Sequence, residues 1–473
     1  MSKSLISDKA SGRRSRRRCC RLLLALTAAI ALCAPAVATA SPLIPPPPEP
    51  TTPNGSLVVN VIVKHHHGGT STTPDKTPSD VASLIKQANP WFTEVSHGRY
   101  QVDDTPTVGG TITVTAFDPV CSEAWWRQIA AIGAEEVRAN LLIEPSNFNT
   151  VFYYFGKFTE CPEGGRFSAD QQFPTEDSVL LNGETSLNLL THVIGHSFLL
   201  GDAGATFCAD ASGARVPLNF IGTGTCTHKP LGDAYNAMGD LGAFGYSSAQ
   251  LDYLRWNEGR VRTIGADTAP VTTFLTPLEL DVAGSTQALH LVGQDVNVWL
   301  EYRQPLGVDN IPSVGLGGGV LIRAELPSSS LIPPNLRVEP ALLDMTPLDG
   351  DHARSGAWHP ELPAGGVWAN PRGNLSIRVN SATSLGASVT VQQNIALKTV
   401  PDVRGLTAPA ATTAITAAGL TRGTIGTVFD PLCENLTKVI TQSVAPGTRL
   451  PAASVIDIKT GIPPAAGCPR VDQ

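Results

Sequence analysis

The chain has 473 residues and a formal net charge of −7 at pH 7, and this charge is unevenly distributed. Residues 1–40 contain eight Lys and Arg against one Asp, so residues 41–473 carry 26 basic and 40 acidic side chains. This balance argues against a nucleic-acid-binding protein, because affinity for a phosphate backbone needs a basic surface. A charged fraction of 16% with 44 Gly and 38 Pro also excludes a helical bundle or coiled coil.

The first 40 residues are predicted to be a signal peptide. A basic run at 13–18 precedes an apolar stretch from Leu22 to Val37, and small residues at 38–40 complete a cleavage site. The uninterrupted apolar part is shorter than the ~20 residues that span a bilayer, so no transmembrane anchor is expected. Cleavage after Ala40 would leave six of the nine cysteines, which is typical of an exported chain with three disulfide bonds.

Residues 41–56 contain a run of prolines and are predicted to be an extended linker. The segment 57–265 then mixes strand and helix patterns, which predicts an α+β domain. Its last long helix begins after Thr185 or Ser186, either of which can serve as the N-cap. The predicted strands are 57–63, 111–114 and 151–155, and the predicted helices are 79–88, 121–139 and 186–200.

Residues 266–396 are predicted to form an all-β accessory sandwich, because the helix patterns stop and short strands recur between turn signals. The predicted strands are 271–275, 288–292, 296–303, 320–324, 375–379 and 388–391.

Two histidines carry the clearest chemical signal of the sequence. His192 and His196 are four residues apart in the predicted helix 186–200, so they share one helix face. At this spacing one helix can offer two imidazoles to a single zinc ion. Asp202, six residues further and beyond a turn, can supply a third ligand. Taken alone, the two histidines could also be accidental neighbours on the helix.

A second motif follows in the segment 232–239, which reads Gly-Asp-x-x-x-x-Met-Gly and contains Met238. With the histidine pair, it makes the sequence resemble the gametolysin-type peptidases of the metzincin clan. Their zinc helix reads His-Glu-x-x-His-x-x-Gly-x-x-His, and a methionine turn of this form lies beneath their metal. Further resemblance lies in residues 92–100, 300–305 and 343–347, and the match covers about 57–395.

Three positions depart from the pattern of that family. Val193 occupies the place of the glutamate that acts as general base, and a valine cannot accept a proton. Leu199 replaces a glycine that lets the chain leave the helix, unless Gly201 takes over that turn. Asp202 replaces the third histidine. The resemblance therefore implies zinc held by His192, His196 and Asp202, with relaxed or lost catalysis.

Several other polar residues are candidates for roles in or near this site. Glu184 is expected to favour the helix N-terminus rather than to replace the base. Asn188 lies one turn before His192 and can hydrogen-bond to it but cannot act as a base. The run His65-His66-His67 is expected to be a solvated loop cluster rather than a second metal site, and His228 an exposed, inert loop residue.

The six remaining cysteines are assigned to pairs on this domain layout. Cys208 and Cys226 bracket the loop between the zinc helix and the Met238 turn, so they are expected to pair. Cys121 with Cys161 would join the helix 121–139 to the loop after the strand 151–155. Cys433 and Cys468 remain for the C-terminal unit, and free buried thiols are the alternative.

The C-terminal unit, 397–463, begins Val400-Pro401-Asp402-Val403 and continues into a predicted helix, 408–418, that Gly419 ends. Strands are predicted at 423–428, 438–443 and 454–459, and a Pro-Gly pair at 446–447 precedes the last of them. This unit resembles the PASTA domain, a small αβββ module of penicillin-binding proteins and bacterial serine/threonine kinases. Residues 464–473 form a tail.

The resemblances together imply a secreted or cell-wall-associated bacterial protein. Our leading hypothesis is a degenerate, inactive metzincin-like protein that binds a peptide, protein or cell-wall partner in the old cleft, with the PASTA domain as a tether to peptidoglycan. The sequence leaves open whether zinc is bound. One alternative is an active zinc metalloendopeptidase that cleaves extracellular proteins. A second is a purely structural surface protein. The sequence leaves open whether the protein is an enzyme.

Overall fold

The computed structural model describes residues 55–65, 72–116, 121–159, 161, 165–169, 177–209, 215–216, 225–239, 244–265, 269–292, 297–311, 316, 318–325, 340–345, 360–370, 375–393, 397–464 and 468. The predicted signal peptide and nearly all of the predicted linker lie outside these ranges. So do His66, His67 and the side chain of His65. None of the helices within these ranges combines the length and the apolar character that crossing a bilayer requires.

The described chain is a mixed α+β protein made mostly of strands, as the sequence predicts. A π-helical turn, Val137–Leu141, extends the third helix, and 3-10 turns lie at Pro145–Asn147 and Gly307–Asp309. The α-helices are α1 Pro78–Gln87, α2 Asn89–Val95, α3 Glu123–Glu136, α4 Leu187–Ser197, α5 Ser248–Tyr253 and α6 Ala408–Ala417.

The N-terminal sheet has five strands in the order β2-β1-β3-β5-β4. Strands β2, β1, β3 and β5 run parallel to one another, and the edge strand β4 runs antiparallel to β5. Apolar residues fill both faces because helices cover them, as parallel sheets require. The strands are β1 Ser56–His65, β2 Thr107–Ala116, β3 Thr150–Phe155, β4 Gly165–Ala169 and β5 Asp177–Asn182.

The next thirteen strands form two sheets. Nine belong to one large sheet, and the others form a four-stranded sheet in the order β10-β18-β17-β16. They are β6 Gly204–Ala209, β7 Arg215–Val216, β8 Thr225–Lys229, β9 Val261–Ile264, β10 Val271–Leu275, β11 Ala288–Leu291, β12 Val298–Tyr302, β13 Gly319–Glu325, β14 Pro340–Leu343, β15 Leu362–Pro363, β16 Val367–Ala369, β17 Leu375–Thr383 and β18 Gly386–Gln393.

The two sheets enclose a common core, in which Leu300 and Ile322 of the larger sheet belong to the same apolar cluster as Ile377 and Val389 of the smaller. The larger sheet follows the path β7-β6-β14-β13-β12-β11-β9. Strand β6 pairs in parallel with β14, and β9 pairs in parallel with β11. Strands from before and after residue 265 therefore share one sheet, and the predicted division there does not coincide with a sheet edge.

The C-terminal unit has its own core, built from Val400, Ala411, Ile415, Ile456 and other residues of the same unit. Helix α6 packs beside a three-stranded sheet in the order β20-β23-β21, and a two-stranded β19-β22 ribbon completes the unit. Its strands are β19 Leu397–Thr399, β20 Thr421–Phe429, β21 Val439–Gln442, β22 Arg449–Pro451 and β23 Val455–Ile462.

Three disulfide bonds join the cysteines in the pairs that the sequence predicts. Cys121 and Cys161 connect the start of α3 to the segment after β3. Cys208 and Cys226 link β6 to β8, where the two residues lie opposite each other in the register. The third bond closes the C-terminal unit and joins Cys433 to Cys468.

Candidate metal centre

Helix α4 presents both histidines on a partly exposed face. Ser186 is its N-cap, and the Ser186 hydroxyl accepts a hydrogen bond from the Leu189 amide, which satisfies one of the free donors of the first turn. The opposite face, with Leu190 and Ile194, is buried in the core beneath the N-terminal sheet. His192 and His196 therefore face away from this core, with side chains 20% and 18% exposed.

Each imidazole is held by a backbone carbonyl on its Nδ1 side. His192 Nδ1 lies 3.0 Å from the carbonyl oxygen of Ala237, and His196 Nδ1 lies 2.9 Å from that of Leu200. A carbonyl oxygen can only accept a hydrogen bond, so Nδ1 must carry the proton in both neutral rings. The lone pair is thereby left on Nε2, which is how histidines that bind metal are usually oriented.

The two Nε2 atoms converge on one carboxylate oxygen. Asp202 Oδ1 is 3.5 Å from His192 Nε2 and 3.3 Å from His196 Nε2. The three ligand atoms lie within 4.8 Å of one another, and among the described residues this is the only His, Cys, Asp and Glu group that meets this condition.

The residues fit a zinc ion. Zinc bonds of about 2.0–2.1 Å place neighbouring ligand atoms of a tetrahedron about 3.3–3.4 Å apart, which is close to the 3.5 Å and 3.3 Å separations of Asp202 Oδ1 from the two Nε2 atoms. Two neutral imidazoles and one carboxylate also form a donor set that zinc accepts, and a fourth position stays available to water or substrate. Bound zinc would supply a Lewis acid and lower the pKa of its water.

The carboxylate of Asp202 is charged in this setting. Its partial burial would by itself raise its pKa, but the adjacent His192 and His196 rings, which can donate through Nε2 only when they carry a second proton, hold the pKa well below its ordinary value. The side chain remains 44% exposed, so the site opens to solvent on the Asp202 side.

The Met238 turn, residues 232–239, lies directly beneath α4. Met238 is fully buried, and its sulfur occupies the space where a side chain on Gly195 would begin. Gly195 is therefore needed for the close approach of helix and turn. The turn is fixed by two further bonds, since Ala203 N donates to Met238 O at 2.7 Å and Met238 N donates to Asn236 Oδ1 at 2.9 Å.

The structure shows the surroundings of two positions that differ from the peptidase pattern, Val193 and Leu199. Val193 is 0% exposed and belongs to the core cluster, so an apolar side chain suits this position. Leu199 has φ +63°, the left-handed conformation that the family glycine would adopt, and Gly201 does not take over this role. Leu199 N bonds to His196 O and Leu200 N to Gly195 O, which together form a Schellman turn at the end of α4.

The other candidates stay outside the three-ligand group. Glu184 is exposed and accepts a hydrogen bond from the Ser186 hydroxyl at 2.8 Å, at the start of α4. Asn188 is exposed one turn before His192. His228 is exposed too, but it lies in strand β8 opposite Thr206 rather than in a loop, because the disulfide between Cys208 and Cys226 aligns β8 with β6.

Sequence reasoning missed a buried network of charges next to the Met238 turn. Arg323 Nε donates to Asp233 Oδ2 at 2.7 Å, and Arg323 also bonds to Glu301. Glu301 accepts in turn from Arg303 Nε at 2.7 Å, and Arg303 Nη1 reaches Asp309 at 2.8 Å. Glu301, Arg303 and Arg323 lie within or at the end of apolar stretches, but a charged side chain in a strand usually indicates an exposed face, so no local signal reveals their burial.

Comparison with known protein families identifies the C-terminal unit. Residues 398–461 match the PASTA domain, in agreement with the resemblance seen in the sequence. No curated protein and no solved structure matches the chain. PASTA domains occur in cell-wall-associated bacterial proteins.

Proposed function

We propose that this protein is a secreted, cell-wall-associated relative of the metzincin peptidases that keeps a zinc site but has lost peptide-bond hydrolysis. The observation that carries the proposal is the convergence of His192 Nε2, His196 Nε2 and Asp202 Oδ1 next to a buried Val193. The three proposed ligand atoms converge, whereas position 193 has no carboxylate that could move the proton.

The missing carboxylate has a large effect on the expected chemistry. In a zinc peptidase a general base takes a proton from the attacking water and returns it to the leaving amine. General acid–base catalysis of this kind raises the rate roughly 10²–10⁴-fold. Glu184 is an unsuitable substitute, because its carboxylate is engaged with Ser186 at the helix start. The site is therefore suited to holding a peptide or protein ligand against a metal rather than to cleaving it.

The PASTA domain suggests where the protein acts. A domain of this family favours contact with peptidoglycan or another component of the bacterial cell wall. In this proposal residues 57–265 are the metzincin-like part, 266–396 the β-domain and 397–463 the tether. The acidic balance of residues 41–473 disfavours simple electrostatic adhesion to anionic wall polymers, so attachment would need a specific site.

The test uses the mature chain that begins after Ala40. Zinc content is measured by mass spectrometry, and cleavage of unfolded protein substrates is assayed with and without a chelator. We expect one zinc per chain, loss of zinc in His196→Ala, and no chelator-sensitive cleavage. Chelator-sensitive cleavage that disappears in His196→Ala would instead establish an active endopeptidase. Absence of zinc would contradict the proposal and favour a purely structural surface protein.

A Val193→Glu variant separates loss of the base from loss of the whole site. Because Val193 is fully buried, the folding of this variant is first compared with that of Val193→Gln by circular dichroism. Cleavage gained by Val193→Glu, but by neither Val193→Gln nor the native chain, would show that the ligand geometry is intact and only the base is missing.

A further inference from the structure

Arg323 connects two parts of the chain that the predicted domain boundary near residue 265 separates. It lies in β13, between β12 and β14 of the larger sheet, yet its side chain reaches Asp233 in the Met238 turn. The guanidinium and this carboxylate are both fully buried. Apolar residues can often replace a buried ion pair without loss of stability. What such a pair can add is a single fixed arrangement of its partners.

The side chain of Arg323 holds the first half of the turn at two points. Its Nε donates to Asp233 Oδ2 at 2.7 Å, and its Nη2 donates to Asp233 Oδ1 at 3.3 Å. The same Nη2 lies 3.4 Å from the backbone carbonyl oxygen of Tyr235. Asp233 Oδ1 also accepts from the Tyr235 amide at 3.0 Å. A guanidinium presents these donors in a rigid planar fork, which the ammonium group of a lysine does not possess.

Asp233 in turn fixes both ends of the turn. Gly239 packs directly on the Asp233 carbonyl group, whose oxygen occupies the space where a side chain on Gly239 would begin. The Asp233 amide donates to Ala203 O at 3.1 Å, and the Ala203 amide donates to Met238 O at 2.7 Å. Both ends of the turn are therefore bonded to Ala203, which directly follows the proposed ligand Asp202.

The turn also orients one of the two histidines. Ala237 O lies 3.0 Å from His192 Nδ1. His196 is held differently, because its Nδ1 contacts Leu200 O in the C-terminal turn of α4 itself. A shift of the Met238 turn should therefore reach His192 but leave His196 in place.

We propose that Arg323 is a positioning residue of the candidate metal centre. It acts through Asp233, which fixes the Met238 turn, and the turn orients His192 and the segment that carries the aspartate ligand. This role presupposes the zinc site of the proposed function. It gives the β-strands after residue 265 a part in that site, although they contribute none of its three ligands. Hydrogen bonds outside the ligand set commonly orient ligands and tune metal affinity.

Nitrogen-15 NMR of the zinc-free mature chain at mildly alkaline pH tests this role without metal. Arg323→Lys keeps the charge but loses the fork, so the turn should shift and His192 should gain a measurable population of the Nε2–H tautomer. His196 should keep its proton on Nδ1, which makes it an internal control. An unchanged His192 in the folded variant, or equal changes at both histidines, would overturn the proposal.

A second variant covers the case in which Arg323→Lys does not fold. Asp233→Asn removes the charge of the partner and replaces one of its two acceptor oxygens by a donor. It should produce the same selective change at His192. Circular dichroism first establishes that each variant is folded, and a folded Asp233→Asn variant with native spectra at both histidines would contradict the assignment.

Ile377→Ala is the matched control for loss of stability. Ile377 is fully buried in the core between the two sheets, in a cluster that includes no described residue of the turn. Removing its side chain weakens packing and destabilises the fold, but both rings should stay protonated on Nδ1. A change at His192 in Ile377→Ala would show that reduced stability alone produces the signal, and the proposal would fail.

Zinc affinity, measured by competition with a chromogenic chelator, tests the consequence for the metal. Arg323→Lys should lower the affinity roughly tenfold, the lower end of the range for partners outside the ligand set, because it acts through an intervening residue. Ile377→Ala should bind zinc as the native chain does. Equal affinities of Arg323→Lys and the native chain would overturn the proposal. If the native chain binds no zinc, the proposed function fails, whereas the tautomer of His192 still decides the role of Arg323.

Discussion

His192 and Ala237 are joined by a 3.0 Å contact between an imidazole Nδ1 and a backbone carbonyl oxygen, so the Met238 turn orients a residue of α4 directly. His196 has the same relationship with Leu200. Since both carbonyls can only accept, we predict that both rings are protonated on Nδ1 when neutral, even without metal. Nitrogen-15 NMR of the zinc-free chain at mildly alkaline pH reports the tautomer. Nε2–H rings would contradict this arrangement.

The second prediction concerns the third ligand. Loss of a hydrogen-bond partner outside the ligand set typically lowers metal affinity roughly 10–100-fold. Asp202→Ala should lower zinc affinity by more than this, because Asp202 Oδ1 lies 3.3 Å from His196 Nε2 and is a proposed ligand itself. Competition with a chromogenic chelator measures the affinity. Glu184→Ala is the matched control, since this carboxylate bonds to Ser186 at the other end of the helix. Equal zinc affinities of Asp202→Ala and Glu184→Ala would show that Asp202 is not a zinc ligand.

The sequence predicts much of this site, because its signals are local. The spacing of His192 and His196 and the N-cap at Ser186 depend on a few neighbouring residues, and the structure places them as expected. The carbonyl groups of Ala237 and Leu200 could not be found in this way. Every residue has a carbonyl, and its direction depends on how distant segments fold.

Long-range pairing explains most of what the sequence did not predict. Strand β10 was predicted with its observed bounds, but nothing local indicates that β6 pairs with β14 more than a hundred residues away. Charged residues such as Arg323 within a strand usually indicate an exposed face. Here the guanidinium is buried against Asp233, a partner that only the tertiary structure supplies.

A third prediction concerns the end of α4. Leu199 holds φ +63°, and a side chain in the left-handed region costs about 1–2 kcal/mol. Leu199→Gly should therefore be more stable than Leu199→Ala by about 1 kcal/mol, because both lose the same packing but only glycine relieves the strain. Urea unfolding of the two variants measures the difference. A more stable alanine variant would show that the turn is not left-handed.

Loss of Arg323 should be severe. Arg323→Met leaves Asp233 without its buried cationic partner and Glu301 with Arg303 alone, so we expect the free energy of unfolding to fall by about 3–5 kcal/mol. Arg404→Met is the control, because its pair with Asp402 is exposed and worth at most about 1 kcal/mol. Adding Asp233→Asn to Arg323→Met should recover part of the loss. Similar stabilities of the two arginine variants in urea would show that the network contributes little.

Glu361 should make stability depend on pH. It is 4% exposed, and burial raises its pKa to about 7, although a hydrogen bond from its own backbone opposes the shift. The folded state therefore keeps a proton that the unfolded state releases, and stability is lost as pH rises from ~4.5 through about 7, by about 3 kcal/mol. Glu361→Gln should remove this decline, and exposed Glu434→Gln should retain it. Parallel pH profiles for native chain and Glu361→Gln would contradict the assignment.

The strand pairing across residue 265 limits how this protein can be divided or recombined. A chain that ended there would expose the edge of β6 that β14 normally covers, and Asp233 would lose Arg323. Residues 187–239, which include the proposed ligands His192, His196 and Asp202, therefore depend for their fold on the β-strands that follow residue 265. The PASTA domain has a core made only of its own residues, so it is the part that evolution or an engineer can exchange.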